Sequence, residues 1–385
     1  MNRRYAMCVR VVGISALTVS ACGLPRDEEF PVQVPITEAH IDLSIGVAEG
    51  AGPDVFGRIG GVLILPDGRI VVSDIQSHEV RVFDTNGAHL FTFGREGEGP
   101  GDLGAPCCLA LDREGLLWVR ETMNGRYSAF EIGTEGASFV RTVRQQHGAM
   151  GLMAPLTFDA EGRLVDVGER VSPSGGASER VRYHLGAASD IQHTDVVVPT
   201  SLGALGRHQV ERQTPDGHGT FYLWQPYASH AVSAHGPDGR WARAVTGRYE
   251  IVSWDGLVFD TLRGSVRTGP ALTPEEREVG QEAMQRDAER VGIRVADLPY
   301  DLPERRTPIS QLFYDDLGRL WVELNVARGE PRLADVWGVD GDLESRVSWP
   351  TGVRLGTVSW IGERHALGVM HDELGVQRVV RLRFD

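Results

Sequence analysis

The sequence predicts an all-β fold. Three observations point to it: short apolar stretches alternate with glycine-containing turns along most of the 385 residues, a unit of such stretches recurs six times, and helical periodicity is confined to one segment. The shortest distances between recurrences are 44 and 47 residues, a length typical of a blade of four antiparallel strands. Six such units predict a six-bladed β-propeller.

Each repeated unit has an apolar stretch, a tight turn with Gly and a second apolar stretch, as in "LILPDGRIVVSD" and "LFYDDLGRLWVEL". The units occupy residues 63–74, 109–121, 156–169, 233–245, 312–324 and 358–370. Their turn glycines are Gly68, Gly115, Gly162, Gly239, Gly318 and Gly362. The gap is 77 residues from the third glycine to the fourth and 79 from the fourth to the fifth, so two units carry insertions.

A second hairpin follows the first one in several units. Residues 79–94 contain an Asn86-Gly87 turn between apolar residues, which is a strong hairpin signal. Residues 126–143 and 248–263 have a similar pattern. Two hairpins in a unit supply the four strands that a blade needs.

The glycine-rich stretch "FGREGEGPGDLGAP", residues 93–106, has the composition of a phosphate-binding loop. However, Asp102 stands where a dinucleotide fingerprint needs its third Gly, and Pro100 removes a backbone donor. All 39 basic residues are Arg, and the absence of Lys excludes both a Walker loop and Schiff-base chemistry. We therefore interpret the stretch as a linker from the outer strand of one blade to the inner strand of the next.

The last unit lacks a fourth strand in the sequence that follows it, because only "VQRVVRLRFD", residues 376–385, comes after its first hairpin. The segment Ala39–Val47 precedes the first unit and alternates apolar residues at Ile41, Leu43 and Ile45. We expect this N-terminal strand to complete the last blade, so that neither sheet edge stays open.

One segment predicts a helix. Residues 272–293 begin with Thr273, Pro274 and Glu276, a capping box with Pro at the first helical position. The apolar stripe, Val279, Ala283 and Val291, is thin and indicates a helix on the surface. The helix belongs to an insertion of about residues 270–307, which we expect on the same end of the ring as the linker 93–106. We call that end the linker side.

The motifs "DGRIVVSD", "RVFDTNG", "FGREGEGPGDL" and "GLLWV" resemble those of NHL-repeat propellers, six-bladed proteins that are common among exported bacterial proteins. The resemblance is strong over residues 56–132, moderate over 312–339 and faint elsewhere. It implies an architecture for residues 36–385, and it implies no activity.

Residues 1–21 predict an export signal, because arginines precede an apolar run that is too short to span a bilayer. "VSAC", residues 19–22, resembles the lipobox of bacterial lipoproteins, which implies that Cys22 is acylated and that residues 22–35 form a tether. Gly23 follows, without the Asp that directs inner-membrane retention. We expect a lipid-anchored protein of the bacterial cell envelope, on the outer membrane and facing the periplasm.

Removal of the signal leaves only two cysteines besides the acylated one, the neighbours Cys107 and Cys108. A bridge between adjacent residues is rare, and the sequence offers no disulfide framework. We interpret both as half-buried strand residues, with a redox role as the alternative.

The formal charge of −14 disfavours binding to nucleic acid or to anionic lipid, since both need basic patches. Lactonase propellers of similar fold hold a divalent metal with carboxylates at the starts of the inner strands. The corresponding positions here are Arg58, Cys107, Met153, His230, Pro308 and Arg354. This set does not predict a metal cage, no cofactor is predicted, and "HDE" at residues 371–373 is interpreted as a solvated turn.

Two classes of function remain. The first is a binding propeller for an unknown small molecule or protein, because arginines on the linker side suit anionic groups and Trp224, Tyr227 and Tyr249 lie nearby in the sequence. Its candidate ligand-binding residues are Arg58, Arg95, Glu121, Arg126, His230, Arg248 and Arg354. The second is a lyase or hydrolase that acts on an exported sugar or peptide and uses His230 or His371 as a base.

Overall fold

The computed structural model describes residues 34–145, 155–159, 161–170, 179–185, 191–198, 206–214, 217–255 and 258–385. The predicted signal, Cys22, the tether up to Gln33 and the position of Met153 lie outside the described residues. Predictions about them stay predictions. None of the helices in the described part is long and apolar enough to cross a membrane.

The described chain is mostly β-structure, and most of its strands form six groups in sequence order. Strand β1 (Ile36–Ile45) comes first. Group 1 is β2 (Ile59–Ile64), β3 (Ile70–Asp74), β4 (Glu79–Phe83) and β5 (His89–Phe93). Group 2 is β6 (Pro106–Leu111), β7 (Leu117–Glu121), β8 (Arg126–Ile132) and β9 (Ala137–Arg144). Group 3 is β10 (Thr157–Phe158), β11 (Leu164–Arg170), β12 (Glu179–Leu185) and β13 (Ile191–Val198).

The separate hairpin of β14 (Arg207–Thr214) and β15 (Gly217–Trp224) follows group 3. Group 4 is β16 (Ala231–His235), β17 (Trp241–Val245), β18 (Glu250–Trp254) and β19 (Phe259–Arg263). Next come the helix α1 (Pro274–Val291) and group 5, which is β20 (Ile309–Tyr314), β21 (Leu320–Leu324), β22 (Arg332–Trp337) and β23 (Leu343–Trp349). Group 6 is β24 (Val353–Arg354), β25 (Trp360–Ile361), β26 (His365–His371) and β27 (Gln377–Phe384).

The first turn of most groups explains the sequence repeat. The predicted glycines at 68, 115, 162, 239 and 318 have φ between +75° and +89°, a conformation that favours Gly, whereas Gly362 does not. In group 5 the buried Asp315 accepts hydrogen bonds from the backbone N–H of Arg319 at 2.9 Å and from the indole of Trp321, also at 2.9 Å. A short polar side chain and a glycine therefore fix the turn together.

Hydrophobic cores lie between the groups. Group 1 shares a core with group 2, group 2 with group 3, group 4 with group 5, and group 5 with group 6. A further core joins Leu367 and Val369 of group 6 to Ile59, Val62 and Ile70 of group 1. The last group therefore packs against the first.

Strand β1 pairs with strands of the last two groups. It runs antiparallel to β27 with Ile45 opposite Val379, as the prediction for Ala39–Val47 requires. The strand begins three residues earlier than predicted, and Ile36–Glu38 pair in parallel with β23 of group 5. Groups 5 and 6 therefore join through β1 into one nine-stranded sheet.

Both long gaps in the repeat are occupied by insertions that meet. The predicted helix is present with its capping box and is capped by Gly292, but of the predicted stripe only Val291 is fully buried. Val279 is 56% exposed, whereas Met284 and Ala288 are buried against Leu223 of β15. The stripe was misjudged because Gly280 lies on the buried face, where its missing Cβ leaves room for Leu302.

Candidate functional site

A central cavity of about 720 Å³ is lined by the first strand of every group. The contributing segments are residues 62–64, 109–111, 155–158, 231–237, 311–316, and 356, 357 and 359–361. This volume lies in the range of small-molecule sites, which are concave and mostly apolar with a few polar groups. The cavity therefore lies where the six groups converge.

A loop in group 6 shapes one wall of this cavity. The first strand of the group is interrupted between Arg354 and Trp360, although their partners on β26, Val369 and Leu367, are only two residues apart. The extra residues form a bulge, and Thr357 within it is exposed and lines the cavity. Gln311 of β20 holds the bulge by donating a hydrogen bond to the carbonyl of Leu355 at 2.7 Å.

Asp316 is an ionisable group of the cavity wall. Burial by the surrounding protein raises the pKa of this carboxyl to about 7, a hydrogen bond from Trp360 partly opposes the shift, and the charge of Asp315 adds to it. The residue is nevertheless exposed, and because it lines the cavity, we ascribe that exposure to the cavity. Its backbone N–H donates to the carbonyl of Ile361 at 2.9 Å, which joins group 5 to group 6.

A second cavity of about 580 Å³ lies where the two insertions meet groups 4 and 5. It is lined by Gly206, Trp224, Gln225, Tyr227, Ala228, Ser229, His230, Arg306, Thr307, Ser310 and Asn325. Helix α1 contacts this wall, because the hydroxyl of Tyr227 donates to the carbonyl of Glu276 and Arg306 pairs with the Glu276 carboxylate. His230 immediately precedes Ala231 of the central cavity, so the two cavities adjoin along the start of β16.

The structure brings together only some of the predicted ligand-binding residues. His230, Trp224 and Tyr227 share the second cavity, whereas Tyr249 is buried and donates a hydrogen bond to Asp335. The predicted residues Arg58, Arg95, Arg248 and Arg354 are exposed and line neither cavity. Arg95 also pairs with Asp102 at 2.7 Å.

Glu121 and Arg126 form an ion pair, and both also form hydrogen bonds with the linker 93–106. Glu121 is fully buried and accepts a hydrogen bond from the backbone of Gly104 at 3.1 Å. The guanidinium of Arg126 donates to Glu121 at 2.8 Å and to the carbonyls of Glu98 and Asp102. Both side chains thus fasten the linker to group 2.

Cys107 and Cys108 form a disulfide with each other, contrary to the interpretation as unbonded, half-buried strand residues. Both are buried, at 0% and 4% exposure. Neighbouring side chains of a regular strand point to opposite faces, but β6 has a bulge here and Cys108 has φ +56°. The bulge and the left-handed residue break the alternation, which permits the bond.

A buried ion pair lies beside the disulfide. Arg120 of β7 pairs with Asp166 of β11, and both side chains are 1% exposed. Tyr127 donates its hydroxyl to the same carboxylate, and Arg120 donates to the sulfur of Cys108 at 3.3 Å. These contacts link group 2 to group 3 by polar interactions inside their shared core.

His371 of the "HDE" segment is exposed, and its ring lies 2.9 Å from the side-chain nitrogen of Gln377. It lines neither cavity. Within the described residues, no group of three or more His, Cys, Asp or Glu side chains is placed to hold a metal ion.

Sequence reasoning missed Asp316, Trp360 and the bulge 355–359. One signal was available, because "YDDLGR" carries a second Asp beside the turn residue, whereas "LDREGL" and "FDAEGR" have one. The bulge has no such signal, since its position depends on the register of β26.

No protein-family model and no curated protein matches the sequence. Similar solved structures include a protein from Bacteroides fragilis described as exported, which is 10% identical with a TM-score of 0.48 over 91% of this chain and 99% of that one. A DUF4221 family member from Bacteroides vulgatus is 10% identical, with a TM-score of 0.47 over 91% of this chain and 98% of its own.

Virginiamycin B lyase from Staphylococcus aureus is 7% identical, with a TM-score of 0.41 over 85% of this chain and 94% of its own. With TM-scores below 0.5, these similarities leave the fold to be argued from the strand pairings and cores of this chain.

Proposed function

We propose that the chain is a six-bladed β-propeller and that the six strand groups are its blades. Support comes from the antiparallel order within each group, from the cores between neighbouring groups and from the contact of group 6 with group 1. Closure by β1 removes the open edges that would otherwise recruit other chains. The NHL-like motifs of groups 1, 2 and 5 agree with this architecture.

The propeller is a ligand-binding protein of the bacterial cell envelope, anchored to the outer membrane by lipid on Cys22 and facing the periplasm. The lipobox-like "VSAC" and the preceding apolar run support the anchor. A rigid ring of sheets supports binding because it holds the strands around its axis in fixed positions.

The ligand occupies the central cavity. One observation carries this part of the proposal: six separate segments of chain converge on a single cavity whose wall has both polar and apolar groups. The second cavity, with His230, Trp224 and Tyr227, is the entrance from the linker side.

Thr357→Trp tests the proposal, because an indole on the exposed bulge would fill part of the cavity. Thr351→Trp is the matched control, since Thr351 is exposed, lies in the turn between groups 5 and 6 and does not line the cavity. Small molecules that co-purify with the wild type should be identified by mass spectrometry. They should be retained by Thr351→Trp and lost from Thr357→Trp, and equal retention by both variants would place the ligand elsewhere.

A further inference from the structure

Among its described lining residues, the central cavity has two aspartates and one histidine, His235, and no arginine. Asp315 and Asp316 line it, and no Arg is among the described lining residues of a chain that has no Lys. Fixed charge of one sign in a concave site raises the local concentration of the opposite charge. The cavity therefore disfavours the anionic ligands that the exposed arginines of the linker side suggested.

The two aspartates differ in how accessible their carboxylates are to a ligand. Asp315 is 2% exposed and is satisfied within its turn, where Arg319 pairs with it at 2.7 Å and Trp321 donates to it. Asp316 is exposed in the cavity and receives a hydrogen bond from Trp360. A carboxylate has acceptor sites for several donors, so one indole N–H leaves capacity for a ligand.

Aromatic residues line the same cavity as this carboxyl. Trp360 is its donor, and Phe158, Phe313 and Tyr314 line the same cavity. Aromatic rings attract cations through their quadrupoles, and they also bury apolar parts of a ligand. A carboxylate in a cavity that also has aromatic walls matches an ammonium group on an apolar body.

We propose that the central cavity binds a small organic cation, an amine whose ammonium group pairs with Asp316 and whose apolar part lies against the aromatic wall. This inference rests on the proposed binding function and names the chemical class of its ligand.

The binding should depend on pH. Asp316 must be ionised to pair with an ammonium, and its carboxyl titrates at a pKa of about 7 in the absence of ligand. The other titratable and charged groups on the elements around it are His235, Asp238, Arg240, Tyr314, Asp315, Arg319, Glu363, Arg364 and His365. From pH 6 to pH 8 the ionised fraction of a group with this pKa rises about tenfold, and the amine affinity should rise by a similar factor.

The experiment compares three probes with the same apolar body: phenylethylamine, phenylethanol and phenylacetate. Calorimetric titration of the purified full chain at pH 8 should show the amine binding at least about tenfold more tightly than the alcohol, a difference of about 1.4 kcal/mol. Phenylacetate should bind most weakly. Asp316→Asn should reduce the affinity for the amine to that for the alcohol and remove the pH dependence of amine binding. The exposed control Glu373→Gln should leave the amine affinity and its pH dependence unchanged.

Equal affinity for amine and alcohol in the wild type, or no detectable amine binding at millimolar concentration, would overturn the inference. A pH dependence that persists in Asp316→Asn would do the same, because it would belong to His235 or another group. Thr357→Trp separates the two proposals: loss of alcohol binding in this variant would support the cavity as the site even if the amine has no advantage. Undiminished amine binding in Thr357→Trp would contradict the proposed function itself.

Discussion

The guanidinium of Arg126 lies 2.8 Å from the carboxylate of Glu121, and this pair holds the glycine-rich linker in place. Glu121 is fully buried, and the Arg126 side chain is 12% exposed. Removal of one partner of a buried ion pair leaves an uncompensated charge, which is strongly destabilising.

We therefore expect Arg126→Ala to lower the free energy of unfolding by about 3–5 kcal/mol, measured by denaturant titration. Arg95→Ala is the matched control, because its pair with Asp102 is also on the linker but the Arg95 side chain is 83% exposed. That substitution should lower the free energy of unfolding by about 1 kcal/mol or less. Similar losses in the two variants would show that the Arg126 pair does not fasten the linker.

Asp316 should make the stability of the protein depend on pH. Its pKa of about 7 in the folded chain exceeds its ordinary value of 3.8, so the folded state holds the proton more tightly than the unfolded state. The contribution of this carboxyl to stability is therefore complete below pH 3.8, declines as the pH rises towards 7 and stays constant above that.

Asp316→Asn removes this dependence, so its melting temperature relative to the wild type should rise between pH 4 and pH 7 and then level off. Thermal unfolding at a series of pH values measures the difference. Glu373→Gln should follow the wild type throughout. A difference between Asp316→Asn and the wild type that is independent of pH would contradict the raised pKa.

The pairing of β1 with β27 predicts a large effect of a small deletion. A chain that lacks residues 23–47 loses the pairing with β27 and the ion pair between Asp42 and Arg381 at 2.9 Å. In larger domains, a loss of 1 kcal/mol in the free energy of unfolding lowers the melting temperature by about 2–4 °C. A loss of several kcal/mol should therefore lower the melting temperature by about 10 °C or more.

The shorter deletion of residues 23–33 retains β1 and Pro35, whose carbonyl accepts a hydrogen bond from Arg346. It should melt like the intact mature chain in a scanning calorimeter. If both deletions were equally stable, β1 would not be the strand that holds the ring closed.

The lipid anchor is tested at Cys22. The wild type should partition into the detergent phase, whereas Cys22→Ser should appear in the soluble periplasmic fraction or stay unprocessed, because acyl chains contribute about 0.8 kcal/mol per buried methylene. Phase partitioning followed by immunoblotting measures this. Cys8→Ser, a change within the predicted signal, should behave like the wild type, and identical fractionation of wild type and Cys22→Ser would exclude the anchor.

The local features of the fold were predictable because each depends on neighbouring residues. The turn at Gly318 needs only a glycine with positive φ and the side chain of Asp315, and the start of α1 needs only Thr273, Pro274 and Glu276. The repeat distance followed from such turns, and the strand that pairs with β27 followed from the alternation of Ile41, Leu43 and Ile45 and from the missing fourth strand of the last unit.

The candidate site was less predictable, because its residues come from segments that are distant in sequence. Trp360 of β25 and Asp316 belong to different groups, and they line the same cavity because β25 is positioned by its pairing with β26. His230 was predicted and lies in a cavity, but Glu121 and Arg126 face the linker. Sequence position alone does not show whether a side chain lines a cavity or contacts the linker.

The sequence by itself determined the β-rich class, the repeated unit, the helix and the acidic, lysine-free composition, because local conformation and residue counts need no tertiary contacts. Only the tertiary structure decided that the two insertions pack on each other through Leu223 and Met284, that Cys107 and Cys108 are bonded, and that Asp316 lines a cavity. The physical reason is burial: which side chains lose water, and therefore which charges shift and which faces pack, depends on chain segments that meet only in the folded state.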